Sequence, residues 1–351
     1  MMSTFQDLIA TLPTELVVTN ELAKEAFEMP RLPQAQCIVL PLLRETIAPI
    51  LIRNNDPEMT TDMQVAGANR IRMIASKTKG VERRRGAQVL RFLGLGGYAP
   101  ANKAYRPSNK AMSEVFDLNT LVFGDSAKGS EKAIYPVHAA VLYSDALSVE
   151  PINGRIDSVF RQGGVYEDGG TYDIEHQGTS SNIFTTYSVM PGTRLVQTLV
   201  LTGNRLTIEA FNHLLLSIGL ASAYGGATAV TGTNIKTVIA GIYWGSLERP
   251  INAPSQILPH LDSRATTDEL TDKLAELFQT EYPLGITVAE VQAYVADLTQ
   301  KLDREEPSLL RQYGHSAQQA AELFDAWFGN SANNKSASRK RARATQGVGD
   351  Q

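Results

Sequence analysis

The run Ile235–Trp244 (IKTVIAGIYW) is apolar on both faces of an extended chain, which marks it as a central strand covered from two sides. Gln36–Arg44 (QCIVLPLLR) is short, apolar and bounded by polar segments, so it also reads as a buried strand. A bulge is expected near Pro41, because proline donates nothing to a ladder. Arg194–Thr202 (RLVQTLVLT) is a third strand, and strand character returns over Ala133–Leu147. Helical spacing is read at two places. Thr60–Lys79 has Thr60 or Thr61 to cap it, Asp62 in its first turn, and Met63, Ala66, Ile71 and Ile74 on one side. Leu206–Ala223 is an apolar helix with Phe211, Leu214, Leu215 and Ile218 facing inward. With the insertions removed, the order is strand, helix, strand, strand, helix, strand, the α+β split βαβ or ferredoxin-like arrangement. Many unrelated activities share that topology, so it does not by itself define a function.

The remaining segments are insertions and extensions. Residues 1–34 read as an irregular lead-in, and residues 80–132 as a long Gly-, Pro- and charge-rich insertion of the kind that is usually functional. Val165–Tyr172 places Asp168-Gly169-Gly170 between β-prone flanks, a signal for a projecting hairpin. Three amphipathic helices are expected at Thr267–Thr280, Thr287–Glu305 and Ser308–Phe328, separated by Pro283 and Pro307. The tail from Ser331, with Lys335, Arg339, Lys340, Arg341 and Arg343, has the composition of a disordered basic end.

The net charge of −4 hides a strong segregation. Residues 61–110 hold eleven Lys and Arg against Asp62 and Glu82, whereas residues 261–330 hold five basic and thirteen acidic side chains. Such a block implies a local polyanion contact, the alternative being a solvated charged surface. Its cations are Arg70, Arg72, Lys77, Lys79, Arg83, Arg84, Arg85, Arg91, Lys103, Arg106 and Lys110, with Phe92, Tyr98 and Tyr105 available to stack on bases. Gripping phosphates needs cations along a groove and no base-specific geometry, so density without exact spacing suffices. The glycine-rich turn Tyr224–Gly232 allows close approach of a ligand to the backbone, or simply ends a helix.

Other chemistries find little support. Gly94-Leu95-Gly96-Gly97 lacks the Lys and Ser/Thr of a phosphate loop and the Rossmann spacing. The five histidines, His138, His176, His213, His260 and His315, are scattered, and His213 on its apolar helix reads as a core histidine. Cys37 is the single cysteine, which excludes an intrachain disulfide framework and a cysteine-cluster zinc site. No apolar run approaches the ~20 residues of a membrane span. Glu15, Glu21, Glu25 and Glu28 make the N-terminal segment unlike a secretory signal, so a cytoplasmic protein is expected. Asp56, Glu58 and Asp62 leave open a metal-dependent nuclease, although loop solvation and helix N-terminal charge explain the same acids.

Several segments resemble the backbone (spine) subunit of Cascade-type CRISPR complexes, the seventh family of CRISPR-associated proteins in the RAMP superfamily, in its type I-D branch. They are Arg31-Leu32-Pro33 with Leu43-Arg44-Glu45-Thr46, Gly124-Asp125-Ser126 with Ser130-Glu131-Lys132, and Ala223-Tyr224-Gly225-Gly226-Ala227-Thr228 with Gly232. The resemblance covers roughly residues 31–250 and implies an RRM-like palm there, carrying a finger insertion at about 80–132 and a thumb hairpin at about 150–190. Residues 260–330 form a helical segment outside it, followed by the tail 331–351. It implies a non-catalytic protein without cofactor or metal. The guide crRNA would be held by the basic block and by Tyr224, Gly225, Thr228 and Thr231, with Arg155, Phe160, Arg161 and Tyr166 on the thumb. Implied partners are target DNA or RNA, further copies of the chain in a helical filament, and the large, small and guide 5′-end-capping subunits. Some relatives carry zinc-ligand cysteines, which this chain lacks, and more arginine near the glycine-rich turn, where Ser222, Ala227, Ala229 and Val230 stand here. A monomeric RNA-recognition protein unrelated to CRISPR remains the third alternative.

Overall fold

The computed structural model describes residues 4–13, 35–52, 60–96, 116–128, 134–162, 171–173, 175, 178–180, 183–202 and 206–328. Helix α1 (Phe5–Ile9) precedes strand β1 (Cys37–Thr46), the hairpin of β2 (Asp62–Val65) and β3 (Ala68–Met73), helix α2 (Ala75–Phe92) and the short α3 (Leu118–Phe123). Strands β4 (Asp125–Lys128), β5 (Ile134–Val137), β6 (Val141–Tyr143), β7 (Ala146–Pro151), β8 (Ile156–Gln162), β9 (Thr171–Asp173), β10 (Gly178–Ser180), β11 (Ile183–Val189) and β12 (Arg194–Thr202) follow. Then come α4 (Ile208–Gly219), α5 (Thr228–Thr231), β13 (Ile235–Ile239), β14 (Ile242–Gly245) and α6 (Pro254–Ile257). The chain continues through α7 (Thr267–Glu281), β15 (Leu284–Ile286), α8 (Val288–Asp303) and α9 (Pro307–Phe328).

Among the described residues, the α+β expectation is met by a nine-stranded antiparallel sheet with the order β15-β14-β1-β12-β7-β3-β2, in which β13 also pairs with β1 and β6 with β12. β1 is central, as its apolar run requires, and nearly every residue in it is buried. Pro41 causes no break against β12, where Pro41 faces Thr198 in an unbroken register. The irregularity lies on the other side. Val39 faces Tyr243 while Leu42 faces Ile239, so the partner holds one extra residue there, at the break between β13 and β14. Gly241 takes φ +109° in that bulge. Ile235–Trp244 is therefore two strands, and Ala133–Leu147 is likewise divided among β5, β6 and β7.

Residues 60–74 do not form a helix. They make the β2–β3 hairpin, which turns at Ala66 and Gly67, both at positive φ (51° and 74°), as a tight primed turn demands. The alternation that puts Ile71 and Met73 inside and leaves Arg70 and Arg72 half-buried is a period of two. Helix begins only at Ala75 and runs on through residues first read as irregular insertion.

Side chains alternate along β1 between two layers. Ile38, Leu40 and Leu42 join α2, α3, α4, α8 and α9 in one core; Cys37, Val39 and Leu43 join α6 and α7 in another on the opposite face. The C-terminal helices are integral to these cores, and β15 adds itself to the sheet edge beside β14. Thr266 with Glu269 and Thr287 with Glu290 form capping boxes that start α7 and α8. Among the described residues, no helix is long and apolar enough to cross a membrane.

Candidate nucleic-acid interface

A buried arginine organises the region where the sequence features converge. Arg44 emerges from β1 on the α2 side with no solvent exposure. Its guanidinium donates to Glu82 Oε1 at 2.6 Å, to Gln197 Oε1 at 2.8 Å, and to the Tyr224 and Thr237 hydroxyls at 3.0 Å each. Glu82, from α2, also accepts from the hydroxyls of Tyr224 and Tyr143, and Gln197 donates to Thr78 of α2 at 2.9 Å. Burial disfavours the charged guanidinium, but the Glu82 carboxylate beside it prevails and raises its pKa; burial followed by the same carboxylate raises that of Tyr224. The arginine therefore stays charged, and the network locks α2, β12 and the start of the glycine-rich turn together. Tyr224 is accordingly not a surface residue. Its ring is fully buried, and only the turn that follows reaches solvent.

With Glu82, Thr78, Gly86, Val89 and Leu90 turned inward, the opposite face of α2 carries Lys77, Arg84 and Arg91, spaced by seven residues and all exposed. Arg83 and Arg85 diverge from Arg84 by about 100° each, so the three consecutive arginines do different things. Arg83 forms a 2.5 Å ion pair with Asp125. Arg85 and Lys79 are half-buried on the flanks, and burial, then Arg83, lowers the pKa of Lys79, which lies 6.0 Å from the Tyr143 ring centre.

The earlier cations are committed to the fold. Arg70 reaches back to the carbonyls of Val65, Ser148 and Val149. Arg72 pairs with Asp145 at 2.5 Å, and Asp145 in turn accepts the Ala75 N–H at 2.8 Å, capping α2 where Ile74 offers no side chain to do so. The expected cations thus do not lie along one line: Arg70, Arg72 and Arg83 have internal partners, Lys77 and Arg84 face outward, and Arg91 is exposed while also making a contact of its own. Lys103, Arg106 and Lys110 lie outside the described residues.

A small third core joins the remaining features. The segment leaving β1 bridges Ile50 to Val189 at the foot of the β8–β11 ribbon and Leu51 to Gly226 of the glycine-rich turn. Ile50, Ile52, Ile71, Met73, Val189 and Tyr224 pack together, with Val81 of α2 and Ile156 of β8 against them. Lys77, Arg84 and Arg85 are the i−4, i+3 and i+4 neighbours of Val81, so they border this core. Basic helix, glycine-rich turn, ribbon and β2–β3 hairpin therefore share one support. In the turn, Gly225 adopts φ +81°, and a Cβ there would lie 2.5 Å from the Leu51 carbonyl oxygen, so glycine is required by both conformation and space. Thr228 opens the short α5, and Thr231, which donates to Ala227 O, is held from below by Asn234.

Within residues 150–190, β8 and β11 form a ribbon paired from Ile156–Val189 to Gln162–Ile183 in a sheet of their own. Arg155 stands half-buried at its foot, where its carbonyl accepts from Met190 N–H at 2.9 Å. Phe160 and Arg161 fall in β8, whereas Tyr166 and the Asp168-Gly169-Gly170 turn lie outside the described residues, as do Asp56 and Glu58. Asp62 accepts from Asn69 across the β2–β3 hairpin. Among the described residues, no three His, Cys, Asp or Glu side chains gather as a metal site. His213 is a core residue, bound to Asn119 Oδ1 at 3.1 Å.

A family model described as Csc2 Crispr matches residues 24–327. The fold is similar to that in the crystal structure of Thermofilum pendens Csc2, at a TM-score of 0.56 and 15% identity, covering 88% of this chain and 95% of that one. It is also similar to a chain of a pre-nicking CRISPR RNA-guided surveillance complex, at TM-score 0.46 and 13% identity, over 74% of this chain and 99% of that chain. Another chain, from a CRISPR RNA-guided surveillance complex, gives TM-score 0.44 and 12% identity with the same coverage, 74% and 99%. Among curated protein sequences none matches.

Proposed function

The chain belongs to the Csc2 CRISPR family, and from that premise we propose that it is the crRNA-binding backbone subunit of a type I-D Cascade complex. Copies of it would polymerise along the guide and present it for pairing with target DNA. The observation that carries this reading is the outer face of α2: Lys77 and Arg84 face outward there, while the helix's only acid, Glu82, is buried against Arg44. Cations without interspersed acids suit a sugar-phosphate chain read by charge, leaving sequence to base pairing.

On this reading the strand order β13/β14-β1-β12-β6/β7 is the RRM-like palm, since split βαβ folds place their fourth, first, third and second strands in that sequence. The β8–β11 ribbon lies in the thumb insertion at about 150–190, and the finger is the insertion at about 80–132. Phosphate contacts fall to Lys77, Lys79, Arg84, Arg85 and Arg91, with the backbone of Gly225 and the hydroxyls of Thr228 and Thr231; Lys103 and Arg106, outside the described residues, are further candidates from the sequence. Arg70, Arg72 and Arg83 orient these elements through their internal partners. No catalytic step by this chain is required, and the other Cascade subunits are its partners.

Filter binding of a single-stranded guide across salt concentrations tests the assignment. Each phosphate contact contributes ~0.7 to the slope of log affinity against log salt, so replacing Lys77, Arg84 and Arg91 by alanine reduces that slope by about 2. An unchanged slope rejects the α2 face as the phosphate site.

A further inference from the structure

Of the acidic side chains in residues 261–330, Asp268, Glu269, Asp272, Glu276 and Glu281 lie on α7, whereas those of α8 and α9 lie on helices that share a core with α2. Helix α7 packs through Leu270, Leu274 and Phe278 onto the face of the sheet opposite α2 and α4. Its outward arc holds Asp268, Glu269, Asp272 and Glu276, all exposed, with Lys273 at the margin paired to Glu276. The molecule therefore presents a cationic helix face on one side of its sheet and an anionic helix face on the other.

We propose that α7 of one copy docks on α2 of a second copy when no RNA is present, covering the cationic face until a polyanion displaces it. The partner is a second copy because one chain carries both complementary surfaces, directed apart, so that neither can close on the other within the same molecule. Two different surfaces meeting in this way make a heterologous, head-to-tail contact, which is open-ended. Geometry permits it: Lys77 and Arg84 are about 10 Å apart along α2, as are Glu269 and Glu276 along α7. A helix-on-helix contact from fifteen residues falls short of the ~1,200 Å² usual for stable complexes, so the association is weak, governed by exposed charge and screened by salt. The inference shares α2 with the proposed RNA site, but self-association needs only the two faces and is measured without RNA.

Sedimentation velocity of nucleic-acid-free protein at about 50 mM and about 500 mM salt reads it out. The expected weight-average mass is at least twofold that of the monomer at low salt, returning to the monomer at high salt. Asp272→Lys/Glu276→Lys abolishes the low-salt species while leaving guide RNA binding intact, and Lys77→Glu/Arg84→Glu abolishes both. Combining all four substitutions in one chain restores salt-sensitive self-association, because the exchanged charges again match, while RNA binding stays lost. A monomer at both salts, a low-salt oligomer indifferent to Asp272→Lys/Glu276→Lys, or no recovery in the fourfold variant overturns the proposal. RNA binding lost only with Lys77→Glu/Arg84→Glu would leave the proposed function standing in each of those cases.

Discussion

Arg44 and Glu82 show how a single buried pair can decide where a surface points. Arg44→Met removes the cation that faces Glu82 in the core, leaving it only the Tyr143 and Tyr224 hydroxyls, and the expected loss is ~3–5 kcal/mol in denaturant unfolding. Arg44→Met combined with Glu82→Leu loses markedly less than the sum of the two single variants, since neither charge is then stranded; strict additivity would show that the pair is not coupled. His213 gives a pH prediction. Burial depresses its pKa to about 3, against an ordinary value near 6.5, so below pH 6.5 the unfolded chain takes up a proton that the folded chain refuses. Stability is complete above that value and falls as the pH drops, by about 2 kcal/mol at pH 5. His213→Gln should flatten that part of the stability–pH curve. The sequence made His213 legible as a core histidine because its helix is apolar all round. It also displayed Arg44 as a charge inside an apolar strand, but the partner sits 38 positions away, and no local pattern connects the two.

At the scale of elements, α2 packs against α3 and α4 at Gly86. A Cβ there would meet the Asn119 amide oxygen, with Ser217 Oγ at 2.6 Å and His213 Nε2 at 2.8 Å. Gly86→Ala is expected to destabilise by ~1–3 kcal/mol through overpacking, despite alanine's better helix propensity; a raised melting temperature would contradict this contact. Elements with an unambiguous period were readable: β12 and α4 fall where their apolar patterns place them, as do the three C-terminal helices. Thr60–Lys79 was misread because Met63, Ile71 and Ile74 fit a loose helical stripe as well as an alternating one. The deciding residues, Ala66 and Gly67, mark a turn only once Ala66 is seen to tolerate positive φ. The basic residues suffered from the same ambiguity, since composition counts Arg70 and Lys77 alike, although one is bound to carbonyls of its own sheet and the other is exposed.

For the whole molecule, the decisive arrangement is the convergence of basic helix, glycine-rich turn, ribbon foot and hairpin on one small core around Ile50, Ile52 and Tyr224. Segments far apart in sequence meet there through two isolated bridges, Ile50 to Val189 and Leu51 to Gly226, which no periodicity announces. What the chain did reveal was the separation of charge, part of which the fold sets on opposite sides of the sheet as the outer faces of α2 and α7. On the proposed function, the chain assembles in many copies along one guide strand. The most direct test is mass photometry of the protein mixed with repeat-containing guide RNAs of increasing length. The number of copies per RNA should rise in steps as the RNA lengthens; a single copy per RNA at every length would contradict it.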